Sequence, residues 1–249
     1  MPLRWLAAYG LTISFLQFGL LFLALHLGMP AGMASLILQT QAFFTLLFGA
    51  LLLGEKLHVS NIVGLIVAVA GMILLARTSV SAHTGQNMTL LTLILTLSAA
   101  LCWGIGNITN KVIMRRYPVE AMRLVVWSAF VPVVPFFACS LLFDGAPAIM
   151  TSLKNFTWHE ALTLFYLAII CTVIGFGIWG TLLSKYPTAK VAPMTLLVPV
   201  AGMFSAAVIL DEQVSRLQAV AIAVIVAGLV INSFSVRVYG WYKKKAHTG

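Results

Sequence analysis

Polar and apolar residues in this chain separate on the scale of whole elements rather than of faces. Eight almost wholly apolar runs, at 5–27, 31–53, 59–76, 90–113, 122–143, 160–183, 188–210 and 217–238, are divided by short polar segments. A run of about 20 apolar residues coiled as a helix crosses a hydrocarbon core of about 30 Å. A membrane barrel would instead show weaker alternating segments of about 10 residues. The pattern predicts an all-α integral membrane protein with eight transmembrane helices, spans 1 to 8. The two longest connections, 77–89 and 144–159, hold Gly, Pro, Ser, Thr and Asn and read as loops.

The polar punctuation repeats. Shifting the chain by 157 positions lays Pro30 on Pro187, Ala50 on Ala207 and Glu55 on Glu212. Without a gap, the same shift lays Tyr9 on Tyr166, Ile13 on Ile170, Val67 on Val224 and Gly71 on Gly228. Apolar composition explains part of such a match, but not a shared Pro and Glu at element ends. Spans 1, 2 and 3 thus pair with 6, 7 and 8. Five spans lie from the first to just before the sixth, an odd number, so the copies cross in opposite directions. Inverted repeats of this kind build many transporters and place the substrate near the midplane. Spans 4 and 5 open the second repeat and have no partner ahead of span 1, so a complete pair calls for ten helices. The expected organisation is an incomplete first repeat at 1–76, a linker at 77–89, a five-helix second repeat at 90–238 and a basic tail at 239–249.

Composition agrees with a membrane chain. Hydrophobic residues make up 61%, charged residues 8%, and the mean hydropathy is +1.03, against a charged share of about 25% in soluble domains. A net charge of +9 could suggest nucleic acid, but a basic binding patch needs a wet face to sit on. The charge reads as topology instead. On one side lie twelve of the fifteen Lys and Arg, among them Arg4, Lys56, Lys111, Arg115, Arg116, Lys185 and Lys243, and on the other only Arg77, Lys154 and Arg216. Positive residues stay inside, so both termini are expected in the cytoplasm. Cys102, Cys139 and Cys171 form no CxxC and predict neither a disulfide framework nor a metal. No cofactor is implied.

Polar side chains within spans have to face a neighbouring helix or a watery cavity. Gln39 on span 2 either lines a cavity or bonds across to another helix. Gln41 points about 200° away on an ideal helix, so a single cavity takes only one of the two, and Gln39 is the candidate. On span 4, Trp103 and Asn107 share a face, with Gly104 and Gly106 permitting close approach. Gln17 lies mid-span on span 1, and Tyr166 and Trp179 on span 6 border a cavity or anchor at an interface. Pro193 and Pro199 remove donors within span 7 and bend it, where span 2 has Leu36 and Ala42 and is expected to be straighter. Glu55, Asp211 and Glu212 sit at span ends, where they fix turns.

Trp103-Gly104 followed by Asn107, the Gly54-Glu55-Lys56-Leu57 end of span 2, its counterpart Leu210-Asp211-Glu212, and Val191-Ala192-Pro193 opening span 7 together resemble the EamA family of the drug/metabolite transporter superfamily. That resemblance implies two five-helix repeats in inverted orientation, with the first two helices of the ten lying ahead of this sequence. It implies an inner-membrane exporter of small neutral or zwitterionic metabolites, O-acetylserine and cysteine foremost, working by alternating access. A broader amino-acid or drug efflux protein of the same fold, and a membrane fragment that does not transport, are the alternatives. The expected partners are a small-molecule substrate and the lipid bilayer, a homodimer being compatible with both and nucleic acid with neither. An enzyme would need clustered His, Asp, Glu or Cys at membrane depth, which the pattern lacks.

Overall fold

In the computed structural model, residues 1–29, 31–80, 89–201, 216–217 and 219–231 are described, and no strand occurs among them. Five helices are long and apolar enough to span a bilayer: α1 (Leu3–His26), α2 (Met33–Leu53), α4 (Leu90–Arg116), α5 (Ala121–Phe143) and α7 (Trp158–Lys185). Between α2 and α4 runs α3 (Val59–Val80), whose apolar stretch Val59–Leu74 is shorter. Two more apolar helices, α8 (Thr188–Ala201) and α9 (Ala219–Ile231), are also short as described. The expected turn-fixing pair Asp211 and Glu212 lies outside the described residues. Bulky apolar side chains face outwards, with Leu142 81% and Phe143 84% exposed, which suits lipid and not water.

One predicted loop is a helix. Within 144–159, α6 (Gly145–Lys154) coils along the surface with its side chains exposed or half-exposed. Pro147 sits in its first turn, where no backbone donor is needed, and Lys154 in its last, where a cation suits the free carbonyls. Gly and Pro, which read as loop punctuation, here stand at the helix start.

α4 is the central helix. It packs against α1, both parts of α2 and the last turns of α7. Its start is fixed by a capping box: the Thr92 backbone N–H donates to the Thr89 hydroxyl at 3.2 Å, and the Thr89 N–H donates to Thr92 Oγ1 at the same distance. The α1 and α2 contacts require glycine on α4. A Cβ on Gly104 would fall 2.7 Å from Cβ of Phe44, and one on Gly106 would fall 2.8 Å from Cβ of Ile13.

Irregular backbone marks the elements around α4. α1 is π-helical over Leu11–Leu16 and α7 over Tyr166–Phe176, and a shift of 157 lays the first segment inside the second. Although it lacks proline, α2 is not one continuous helix. It runs as Ala31–Leu38 and Gln41–Leu53, joined by tight bonds in which the N–H groups of Gln39, Thr40, Ala42 and Phe43 reach carbonyls three residues back. α8 tightens nearby, as a 3-10 turn over Ala192–Leu196 that contains Pro193 and that the shift lays on 35–39.

The α3–α9 crossing is reciprocal. A Cβ on Gly71 would lie 2.8 Å from the Ile225 backbone nitrogen and 3.0 Å from the Ala221 carbonyl oxygen. One on Gly228 would lie 2.4 Å from the Ala68 nitrogen and 2.6 Å from the Gly64 oxygen. Under the 157-residue shift Gly71 becomes Gly228, Ala68 becomes Ile225 and Gly64 becomes Ala221, so the crossing maps onto itself, as an isologous contact does.

Candidate substrate site

A chain of buried, uncharged side chains runs across α2, α4, α7 and α8. Asn107 of α4 is its hub. Its Nδ2 donates to Gln41 Oε1 at 2.9 Å and to Thr45 Oγ1 at 3.0 Å, both on α2. Its Oδ1 accepts from the Trp179 indole N–H of α7 at 2.9 Å. Since an indole nitrogen only donates, the amide of Asn107 has one orientation that fits. Gln41 in turn donates from Nε2 to Thr195 Oγ1 of α8 at 2.8 Å, and Thr195 donates to the Ala192 carbonyl at 2.8 Å. Thr45, one turn beyond Gln41, donates back to Gln41 Oε1 at 3.3 Å.

Beside this satisfied chain lies an unsatisfied one. Gln17 Oε1, Gln39 Oε1, Thr40 Oγ1 and Trp103 Nε1 are buried with no hydrogen-bond partner. Trp103 packs in an apolar cluster with Leu38, Ala99, Ala100, Leu20, Leu21 and Phe44. Gln39 and Thr40 directly follow Leu38, and Gln17 is one turn before Leu20 and Leu21. Each polar atom left bare in such a place costs about 1–3 kcal/mol, so the group has capacity for a ligand carrying both donors and acceptors.

Gln39 and Gln41 play different parts here: Gln41 joins the Asn107 chain, and Gln39 Oε1 does not. Both are buried, at 5% and 0% exposure, and the turn between them is tighter than a regular helix. Gln41, set aside in favour of Gln39, is the one that bonds Asn107. Trp103 and Gln17 are where the pattern put them, in the interior, and Trp103 also packs against Phe176, with ring centroids 6.3 Å apart. Tyr166 does not join the site: it is 55% exposed on the outer face of α7. Pro193 is buried in the 3-10 turn that carries Thr195, and Pro199 follows in the next turn, half-buried. Thr45 and Thr195 went unnoticed, although Gln41 and Thr45 stand four residues apart, a spacing that puts them on one helix face.

At the Lys/Arg-rich end is a second, charged cluster. Gly54, with φ +62°, caps α2 in the left-handed region, and Glu55 follows it. Glu55 Oε1 meets Lys111 Nζ of α4 at 2.6 Å and Arg115 Nη2 at 3.3 Å. Its Oε2 accepts from the backbone N–H and the hydroxyl of Thr188, at 2.8 and 2.6 Å, where α8 begins. Lys111 has no exposed side-chain area and also donates to the Tyr186 carbonyl at 2.7 Å. Asn110, adjacent on α4, donates to the Gly180 carbonyl of α7 at 3.2 Å. The sequence pattern marks Lys111 only as a topological charge, although its i+4 relation to Asn107 puts it on the face of α4 that carries the site.

Burial pushes the Glu55 carboxyl up, but the hydrogen bonds from Lys111 and Thr188, with the charge of Lys111, outweigh it and hold the group below its ordinary value. A carboxyl whose folded pKa is depressed contributes stability that is present above its unfolded pKa, about 4.3, and is lost as pH falls through the folded value. The melting temperature in detergent should therefore gain nothing from this group between about pH 5 and pH 8 and should fall below about pH 4. Glu55→Gln should lack that part of the acid loss. An identical acid limb in both proteins would contradict the assignment.

The sequence profile of the EamA-like transporter family matches residues 2–77 and 90–234. The chain is 48% identical over 237 residues to a probable amino-acid metabolite efflux pump of Escherichia coli (strain K12), across 95% of this chain and 78% of that protein. It is 48% identical over 238 residues to a probable amino-acid metabolite efflux pump of Salmonella typhimurium, across 95% and 79%. A solved crystal structure superposes with a TM-score of 0.78 at 20% identity, covering 96% of this chain and 79% of the other, a likeness of fold alone.

Proposed function

Because the chain belongs to the EamA-like transporter family, we propose that it exports amino-acid metabolites through the uncharged polar site around Asn107, with O-acetylserine and cysteine as its cargo. It is a membrane transporter and not an enzyme. The observation that carries the cargo reading is the chemistry of the site. Gln17, Gln39, Thr40 and Trp103 offer acceptors and a donor without a net charge, which suits a zwitterion, whose ammonium seeks acceptors and whose carboxylate seeks donors. A phosphate or nucleotide carrier would need an unpaired cation there, and the buried Lys111 is already bound to Glu55. The pump descriptions of the two enterobacterial relatives point the same way.

Alternating access in an inverted repeat is the mechanism that fits. Two matches under the 157-residue shift support it, the two π segments and the reciprocal α3–α9 crossing, and both α2 and α8 carry a tightened turn near the site. The enterobacterial relatives support an inner-membrane location, and the charge distribution favours the Lys/Arg-rich ends in the cytoplasm. In the conformation described, the Gln41–Asn107–Trp179 chain is closed on itself, so a substrate has to exchange its own hydrogen bonds for internal ones.

The test is excretion. Bacteria producing this protein should release several-fold more O-acetylserine and cysteine than cells with empty vector. Release of other amino acids or of dyes instead would move the reading to a broader exporter. No release of any of these, with the protein verified in the membrane, would overturn it.

A further inference from the structure

We infer that the Glu55 cluster is the gate that closes the Lys/Arg-rich mouth of the transport path, and that it opens by exchanging partners. The inference rests on the transporter reading above. Thr45, in the site, lies about two turns before the end of α2 at Leu53, and Glu55 follows directly after the Gly54 cap. The cluster thus stands between the site and the membrane face. It joins one element of the first half, α2, to three of the second: Lys111 on α4, Tyr186 after α7 and Thr188 at the start of α8. A contact between the halves at one mouth is what alternating access has to make and break.

The chemistry suits breaking as well as making. A buried ion pair is close to break-even, because the desolvation of both ions offsets their attraction. A well-packed apolar pair would hold the helices at least as firmly, whereas charged partners are hydrated as soon as water enters and separate readily. Close approach is built in as well: a Cβ on Gly49 would fall within 2.3 Å of Thr188 Oγ1, so α8 can reach Glu55 because residue 49 has no side chain.

Site and gate lie on the same two helices. α8 is held to α2 at Thr195 by Gln41 and at Thr188 by Glu55. A substrate that takes the Gln41 bond removes one of these two ties and leaves the Glu55–Thr188 hydrogen bonds as the other. Arg115, bonded to the same carboxylate oxygen and 49% exposed, is the partner to which Glu55 can swing as Lys111 withdraws. Glu55, Lys111 and Thr188 are positioning residues, and none needs to touch the cargo.

Two measurements test this. In protein whose native cysteines are replaced by alanine, Glu55→Cys with Lys111→Cys is bridged by a short thiol cross-linker in proteoliposomes. Transport should stop when the bridge is closed and return on reduction. A tie that only stabilises the fold would be unaffected by being made permanent, so equal transport in both states overturns the inference. The second reads the gate without any cargo. A Thr45→Cys reporter is exposed to an impermeant maleimide from the Lys/Arg-rich side, with Glu55 intact or replaced by Gln. Labelling should be several-fold faster with Glu55→Gln, and an unchanged rate overturns the gate. If the protein with Glu55 and Lys111 intact moves no amino-acid metabolite, the transport reading fails while labelling still decides the gate.

Discussion

Gly228→Leu is expected to cost the protein most of its folded yield. The Gly228 Cα faces backbone and not a movable side chain: an added Cβ would sit 2.4 Å from the Ala68 nitrogen and 2.6 Å from the Gly64 oxygen. No rotamer relieves that overlap, so α3 and α9 have to separate. Separation opens the cluster in which Leu65, Ala68 and Met72 pack against Ala221, Ile225 and Leu229. Overpacking costs about 1–3 kcal/mol where side chains can shift, and a backbone clash belongs at or above the top of that range, against a total stability of about 5–15 kcal/mol. Because the crossing is reciprocal, Gly71→Leu should do the same. Gly19→Ala is the control, since its Cβ would meet only a Phe136 ring carbon at an ordinary 3.6 Å and alanine favours a helix by about 1 kcal/mol over glycine. Size-exclusion profiles and melting curves in detergent read all three. If Gly228→Leu behaved like Gly19→Ala, the crossing would not be as close as described.

Asn107→Leu is the second large effect, and it should fall on transport more than on stability. The substitution leaves the Trp179 N–H without its acceptor and strips one donor each from Gln41 and Thr45. Such losses inside a membrane protein average only about 0.6 kcal/mol per pair, with a maximum near 1.7, so three of them amount to about 2 kcal/mol and the protein should still fold. Transport should drop at least about tenfold, the equivalent of 1.4 kcal/mol in the barrier, because Asn107 aligns α2 and α7 about one site. Thr195→Val, which removes a single acceptor from Gln41, should have a much milder effect on both. Wild-type transport by Asn107→Leu, with only its melting temperature lowered, would reduce Asn107 to a structural tie between helices.

Much of the fold is legible in the sequence, because the bilayer demands long apolar helices and punishes polar residues that lack a purpose. The 157-residue shift is legible for a similar reason, since Gly71 and Gly228 are fixed by one and the same contact. What sequence pattern misses is local departure from ideal geometry and pairing across long distances. The pattern sets Gln41 aside in favour of Gln39, yet Gln41 is the one that bonds Asn107, and the turn at Gln39 and Thr40 is tighter than a regular helix. Lys111 and Glu55 are 56 positions apart, and nothing local signals that a topological charge is buried against a turn residue. Tyr9 and Tyr166 occupy equivalent positions, yet Tyr9 is 2% exposed under Ile113 and Leu124, while Tyr166 faces outwards. Burial depends on which helices cover a residue, and the repeat alone does not say.

Counterflow in proteoliposomes tests the central claim most directly. Vesicles holding the purified protein and loaded with unlabelled O-acetylserine are diluted into a trace of the labelled compound, and the same is done with cysteine under reducing conditions. The account predicts transient accumulation of label above its equilibrium level with the wild-type protein, and little or none with Asn107→Leu. No accumulation by correctly inserted wild-type protein, or equal accumulation by Asn107→Leu, would contradict it.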